Sequence, residues 1–209
     1  MSAAAGVKFF WEVFVTLLVI TDPPGVVPPF LSLTHGLPAR VRARLAWQAA
    51  VVALGVIMAF ALFGRSILSY LGVELPSLEA AGGLLLLLVA LQLLTGQLSE
   101  PTAEERATAN RANIAFVPLG TPLLAGPGAI VATMLFVQRA RSGVELAVFA
   151  FAIAAVAVVL WLTMRYSTVI LRLLRPSGVE LVTRIAGLLL SAIAVQLTAD
   201  AIRAFIKLG

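Results

Sequence analysis

Thr21-Asp22-Pro23-Pro24-Gly25 puts a carboxylate directly ahead of two prolines inside a long apolar run. Proline has no N–H to donate, so carbonyls around it lose their helical partners, while the half-helix beginning near Val26 presents free N–H groups. A carboxylate near the middle of a bilayer costs at least about 2.5 kcal/mol, so it faces the protein interior or a water-filled cavity. The string thus offers a negative charge and the positive end of a helix dipole in one place. That chemistry suits a small polar substrate held by Thr21, Asp22, Pro23 and Gly25, with Asp22 the titratable group for coupling an ion. The plainer alternative is that Asp22 only caps the second half-helix; the residues alone leave both open.

A second string, Gly120-Thr121-Pro122-Leu123-Leu124-Ala125-Gly126-Pro127-Gly128, carries no charge. It can offer backbone groups and the Thr121 hydroxyl. Open backbone at membrane depth is tolerated where it is buried in protein or lines a cavity; otherwise the small residues mark a packing kink. Because it mirrors the Asp22 string, Thr121, Pro122, Gly126, Pro127 and Gly128 are expected to share one substrate site with it. Gln92 and Gln196 join the candidates, either touching substrate or bonding between helices for about 0.6 kcal/mol. His35, the one histidine, reads as a solvated loop residue, and Glu12 as an interfacial carboxylate. No acid pair, Ser–His arrangement or His-rich metal motif occurs, and there is no cysteine. The chain is therefore expected to be no enzyme and to need no cofactor or metal.

The elements that must position these residues follow from composition. Of 209 residues 61% are hydrophobic and 12% charged, with a mean hydropathy of +1.04; a soluble domain carries about 25% charged residues. Continuous rather than alternating apolar runs point to membrane helices and away from a barrel. The net charge of +5 sits at the ends of apolar runs and not along one stripe, which argues against nucleic acid as a partner. Six segments emerge: about 9–34, interrupted at 22–25; 45–63; 78–97; 112–138; 146–164; and 183–204. The first resembles a signal peptide but lacks a small-residue cleavage site, so it reads as a retained span. The fourth, as a straight helix, would reach roughly 40 Å against a hydrocarbon core of about 30 Å, and its prolines and glycines predict a broken helix.

The two breaks are 104 residues apart, Pro23 to Pro127, and the same offset relates Gly83 to Gly187 and Gln92 to Gln196. This predicts an all-α fold with six transmembrane segments as a 3+3 inverted repeat: repeat one 1–98, a linker 99–111 and repeat two 112–209, with the first and fourth helices broken. An odd number of spans per half inverts the second copy, the plan common among secondary transporters. The first, third and fifth connections hold nine Lys or Arg and the opposite ends six, which puts both termini outside.

At these residues the chain resembles the MarC family of membrane proteins, which includes small neutral amino acid transporters of the SnatA type. The resemblance is carried by Ile20-Thr21-Asp22-Pro23-Pro24-Gly25 with Pro28, by Ala80-Ala81-Gly82-Gly83, and by Pro122-Leu123-Leu124-Ala125-Gly126-Pro127-Gly128-Ala129-Ile130. Arg184-Ile185-Ala186-Gly187-Leu188 and Ala194-Val195-Gln196 extend it over nearly the whole chain. It implies six spans, a bacterial inner (cytoplasmic) membrane and kinship with the LysE-type superfamily. It implies amino acid transport for some members. The chain departs at Ala199-Asp200-Ala201, where a small glycine-containing turn is typical.

The resulting expectation is a secondary transporter of small neutral amino acids or similar metabolites, coupled to H⁺ or Na⁺ and working by alternating access in the lipid bilayer. An exporter or channel for another small solute and a non-transporting scaffold are the alternatives. The scaffold predicts a dry, closed contact between the breaks. A homo-oligomer stays open.

Overall fold

In the computed structural model the residues described are 3–34, 36–96, 125–140 and 142–208. They form helices without strands: α1 Ala3–Thr21, α2 Pro23–Leu33, α3 Ala39–Leu71, α4 Leu75–Thr95, α5 Pro127–Arg139, α6 Gly143–Arg165 and α7 Ser167–Leu208. Five stretches are long and apolar enough to cross a membrane: Ala5–Leu33 across the α1–α2 break, Ala39–Gly64, Leu75–Thr95, Gly143–Arg165 and Ser167–Lys207. Gly128–Arg139 is a shorter apolar helix. The linker 99–111, His35 and the first part of the fourth segment, including Thr121 and Pro122, lie outside the described residues.

Helix ends follow local chemistry. The residue before a proline is pushed out of the α region, and Asp22 leaves it for the left-handed region at φ 39°, ψ 69°, which Asp tolerates better than most residues. Proline is favoured at a first helical position, so α2 begins at once with Pro23 and Pro24 and not near Val26. Gly72 and Gly96 end α3 and α4 at positive φ. Ser142 and Glu145 start α6 with a reciprocal pair of hydrogen bonds, each 3.2 Å.

Two helices differ from the sequence expectation. The 33 residues of α3 span about 50 Å, well beyond the 45–63 core. The last helix starts before Thr183: α7 runs from Ser167, with a non-helical residue at Arg175 (φ 58°, ψ 165°). Pro176-Ser177-Gly178 reads as a turn, yet proline at a helix start is unopposed, and one glycine inside a helix costs only about 1 kcal/mol.

The helices pack around fully buried Val13, Leu17, Phe30, Leu86, Ile153, Leu160, Met164 and Leu190. α1 and α3 both pack on α6, and α4 lies along the second stretch of α7. That last contact is reciprocal. A methyl on Gly83 would sit 2.9 Å from the Ala194 carbonyl oxygen and 3.1 Å from the Thr198 nitrogen; one on Gly187 would sit 3.0 Å from the Ala90 carbonyl oxygen and 3.1 Å from the Leu94 nitrogen. Positions 83, 90 and 94 shifted by 104 become 187, 194 and 198. Residue numbers rise along one helix as they fall along the other, so the two helices run antiparallel.

Candidate functional site

Four carbonyls in and around the first break lack the amide that a continuous helix supplies. Those of Val19 and Ile20 face Pro23 and Pro24 four residues on, and those of Pro24 and Gly25 face Pro28 and Pro29. On the donor side the break is poor. Pro23 and Pro24 have no N–H and the Val26 amide bonds the Asp22 carbonyl at 3.2 Å, so the Gly25 amide, which faces the Asp22 carboxyl group, is the one donor the first turn of α2 turns toward the break. The row of free N–H groups expected of this half-helix is reduced to one, and the break is a place for a cation more than for an anion.

Asp22 lies at this break at 5% exposure. Its carboxyl group folds back over Gly25, where a Cβ would overlap Oδ2 and sit 2.9 Å from the carboxyl carbon. The Gly25 amide and the Thr183 hydroxyl of α7 are its nearest donors. Neither reaches hydrogen-bonding geometry: both carboxyl oxygens and Thr183 Oγ1 are without partners among the described residues. Thr183 is itself 3% exposed. An ionised carboxylate so placed is costly unless a proton, a cation or a bound donor compensates it. Asp22 stands at the N-cap of α2 with its carboxyl over the third helical residue, short of the geometry of a cap hydrogen bond. Thr21 turns its hydroxyl away, donating to the Leu17 carbonyl at 2.8 Å.

The second break comes close to the first. Gly126 caps α5 in an extended conformation, Pro127 is its first helical residue, and the Gly128 and Ala129 amides have no partner within the helix. Ala125 and Ala129 are buried at 3% and 1% exposure. A Cβ on Gly128 would lie 3.4 Å from Ile20 Cγ2, two residues before Asp22, and would run into the Leu86 side chain of α4. The two breaks thus meet through Ile20 and Gly128; Asp22, Pro23 and Gly25 follow on one side of that contact and Gly126 precedes it on the other, while the Thr21 hydroxyl is engaged within its own helix. The two glutamines sit elsewhere. Gln92 is exposed on α4. Gln196 is exposed on α7 and donates to both carboxyl oxygens of Asp200 at 3.0 Å.

Sequence reasoning missed Thr183 and Glu79. Glu79, at 9% exposure, is paired to Arg139 at 3.4 Å. One signal was available: Glu79 and Thr183 are 104 residues apart, so they are polar residues at corresponding places in α4 and α7. Among the described residues no three His, Cys, Asp or Glu side chains cluster as a metal site would need.

Apolar helices of spanning length, a break buried at a carboxylate and a second break packed against it define a polytopic helical membrane protein. Its family follows from comparison: residues 7–206 match the model of the MarC family integral membrane proteins, and the chain belongs to that family. It is similar to the UPF0056 membrane protein MJ1677 of Methanocaldococcus jannaschii, at 36% identity over 94% of this chain and 97% of that one. A UPF0056 membrane protein of Archaeoglobus fulgidus is 34% identical over 96% and 95% of the two chains. YhcE of Escherichia coli, also a UPF0056 membrane protein, is 34% identical over 93% and 92%. No solved structure matches the chain.

Proposed function

We propose that this protein is a secondary transporter of small neutral amino acids, coupled to H⁺ or Na⁺ at Asp22 and working by alternating access in the cytoplasmic membrane. The observation that carries the reading is the buried Asp22 carboxyl, without a hydrogen-bond partner among the described residues, two residues after the Ile20 that packs on Gly128 of the second break. A scaffold gains nothing from a charge it must desolvate, whereas a carrier needs a group that is satisfied only when cargo or coupling ion is bound.

A zwitterion suits the two breaks because they differ in sign. Its ammonium goes to Asp22 and the carbonyls of Val19 and Ile20; its carboxylate goes to the amides of Gly128 and Ala129 at the N-terminus of α5. In this reading the chain carries six spans as a 3+3 inverted repeat with both termini outside. The reciprocal contact of Gly83 and Gly187 supports an antiparallel pair of equivalent helices, and the distribution of Lys and Arg supports the orientation. The two halves then rock about the shared site.

The test is uptake of labelled alanine, glycine and serine by proteoliposomes holding the purified protein, with and without an imposed proton or sodium gradient. Gradient-driven accumulation that Asp22→Asn abolishes supports the reading. Accumulation indifferent to Asp22→Asn removes that residue from the mechanism, and absence of uptake for all three removes the amino acid substrate.

A further inference from the structure

A groove of about 380 Å³ runs between α5 and α7, floored by α1 and α4. Its volume falls in the range of ligand-binding clefts, about 300–1,000 Å³. Ala132, Leu135, Phe136 and Arg139 line it from α5, a spacing that keeps them on one helical face. From α7 the lining positions advance likewise from Ala192 to Gln196 and Asp200. Each face covers about two turns, so the groove is roughly 10–12 Å long.

Its polarity is graded. Both charged residues, Arg139 and Asp200, stand at the end towards which α5 and α7 run, and the opposite end is formed by Ala132, Ala192 and Leu86 with one hydroxyl side chain, Thr16 of α1. The charged end holds both signs: Glu79 lies 3.4 Å from Arg139, and Arg203 lies 3.5 Å from Asp200. A mouth of balanced charge attracts neither simple cations nor simple anions and can meet both ends of a zwitterion. At the inner end Leu86 is fully buried, its side chain against Gly128 where Ile20 of the Asp22 break also packs. One leucine therefore belongs to the groove wall and to the wall of the break.

We propose that this groove is a half-channel through which a small zwitterion reaches the Asp22 break from one membrane face, with Arg139 and Asp200 at its mouth and Leu86 closing its inner end. This rests on the transport reading for its cargo but not for its accessibility. Lipid-facing positions on α7, such as Leu188 at 61% exposure, border hydrocarbon; the groove positions border water; and Ala129, at 1% exposure, is reached only when Leu86 moves aside.

The chain has no cysteine, so single-cysteine variants can be read directly with a membrane-impermeant cationic methanethiosulfonate applied to one side of oriented vesicles. Ala132→Cys and Ile193→Cys should react from one face only, on the order of tenfold or more faster than Leu188→Cys, because a thiol in apolar surroundings holds less thiolate. Ala129→Cys should be inert alone and become reactive from that same face when combined with Leu86→Ala, or with the milder Leu86→Val if the alanine variant does not fold. Groove cysteines no faster than Leu188→Cys, or equally fast from both faces, overturn the half-channel without involving Leu86. Ala129→Cys unchanged by both replacements, in protein that elutes as the wild type does, overturns the role of Leu86. Slower labelling of Ala132→Cys with millimolar alanine supports the cargo. One-faced labelling that alanine, glycine and serine all fail to slow keeps the half-channel and removes the amino acid reading.

Discussion

The two helix breaks share proline and glycine chemistry but not what they enclose. Around Asp22 the prolines strip amides from one turn after another, and the carboxyl group has no hydrogen-bond partner among the described residues. Around Gly126 the backbone opens beside small, uncharged residues, and the vacated space is filled by Leu86 and Ile20. One break encloses a buried charge and the other is filled by packing. An interrupted helix is therefore not itself a site: the side chain put at the interruption decides whether it asks for a ligand or for a neighbour.

The largest effect should come from removing what makes the first break different. Asp22→Asn keeps the volume and removes the charge, so gradient-driven alanine uptake should fall to the level of protein-free vesicles while the detergent-solubilised protein melts at or above the wild-type temperature. A lowered melting temperature would mean that the carboxylate stabilises the fold, against the reading of a desolvated group.

Next come the glycines. Gly25→Ala drives a methyl into the Asp22 carboxyl and Gly128→Ala drives one into Leu86; overpacking of this kind costs about 1–3 kcal/mol, read as a lower unfolding midpoint. The two should respond differently to a second change. Leu86→Val should restore most of the stability lost in Gly128→Ala and none of that lost in Gly25→Ala. Equal rescue of both would erase the distinction between a packed and an electrostatic break.

Thr183→Val removes a buried hydroxyl with little change of shape. Losing one hydrogen bond to bound cargo or ion costs about 1 kcal/mol, so half-saturating alanine should rise by roughly fivefold with the maximum rate kept. An unchanged value takes Thr183 out of the site. Smallest are the mouth residues: Asp200→Asn should raise half-saturating alanine about twofold, and the increment should shrink at high salt as surface charges are screened. An effect as large as that of Asp22→Asn would move the main binding position outwards.

Much of the first break was legible in the sequence because proline acts on residues within a turn of itself. Asp22, Pro23 and Gly25 could be singled out without knowing any tertiary contact. The start of the last helix was misplaced, since Pro176-Ser177-Gly178 has the residues of a turn and the geometry of a helix entrance. Thr183, Leu86 and the groove were not legible for a different reason. An amphipathic pattern tells which face of a helix is inward when the other side is water. In lipid both faces are apolar, so α4 and α6 give no such pattern, and the register of one helix against another stays hidden. The glutamines illustrate it: Gln92 and Gln196 are correctly matched in spacing, yet both are exposed in the described structure.

Leu86 rests on a glycine and not on another large side chain. A methyl gained at position 128 and a methyl lost at position 86 act in opposite senses on the same few ångströms. In the carrier proposed above, a leak there would dissipate ion gradients and a seal that never yields would stop transport. Natural variation should then conserve the summed bulk of the two positions while either residue drifts.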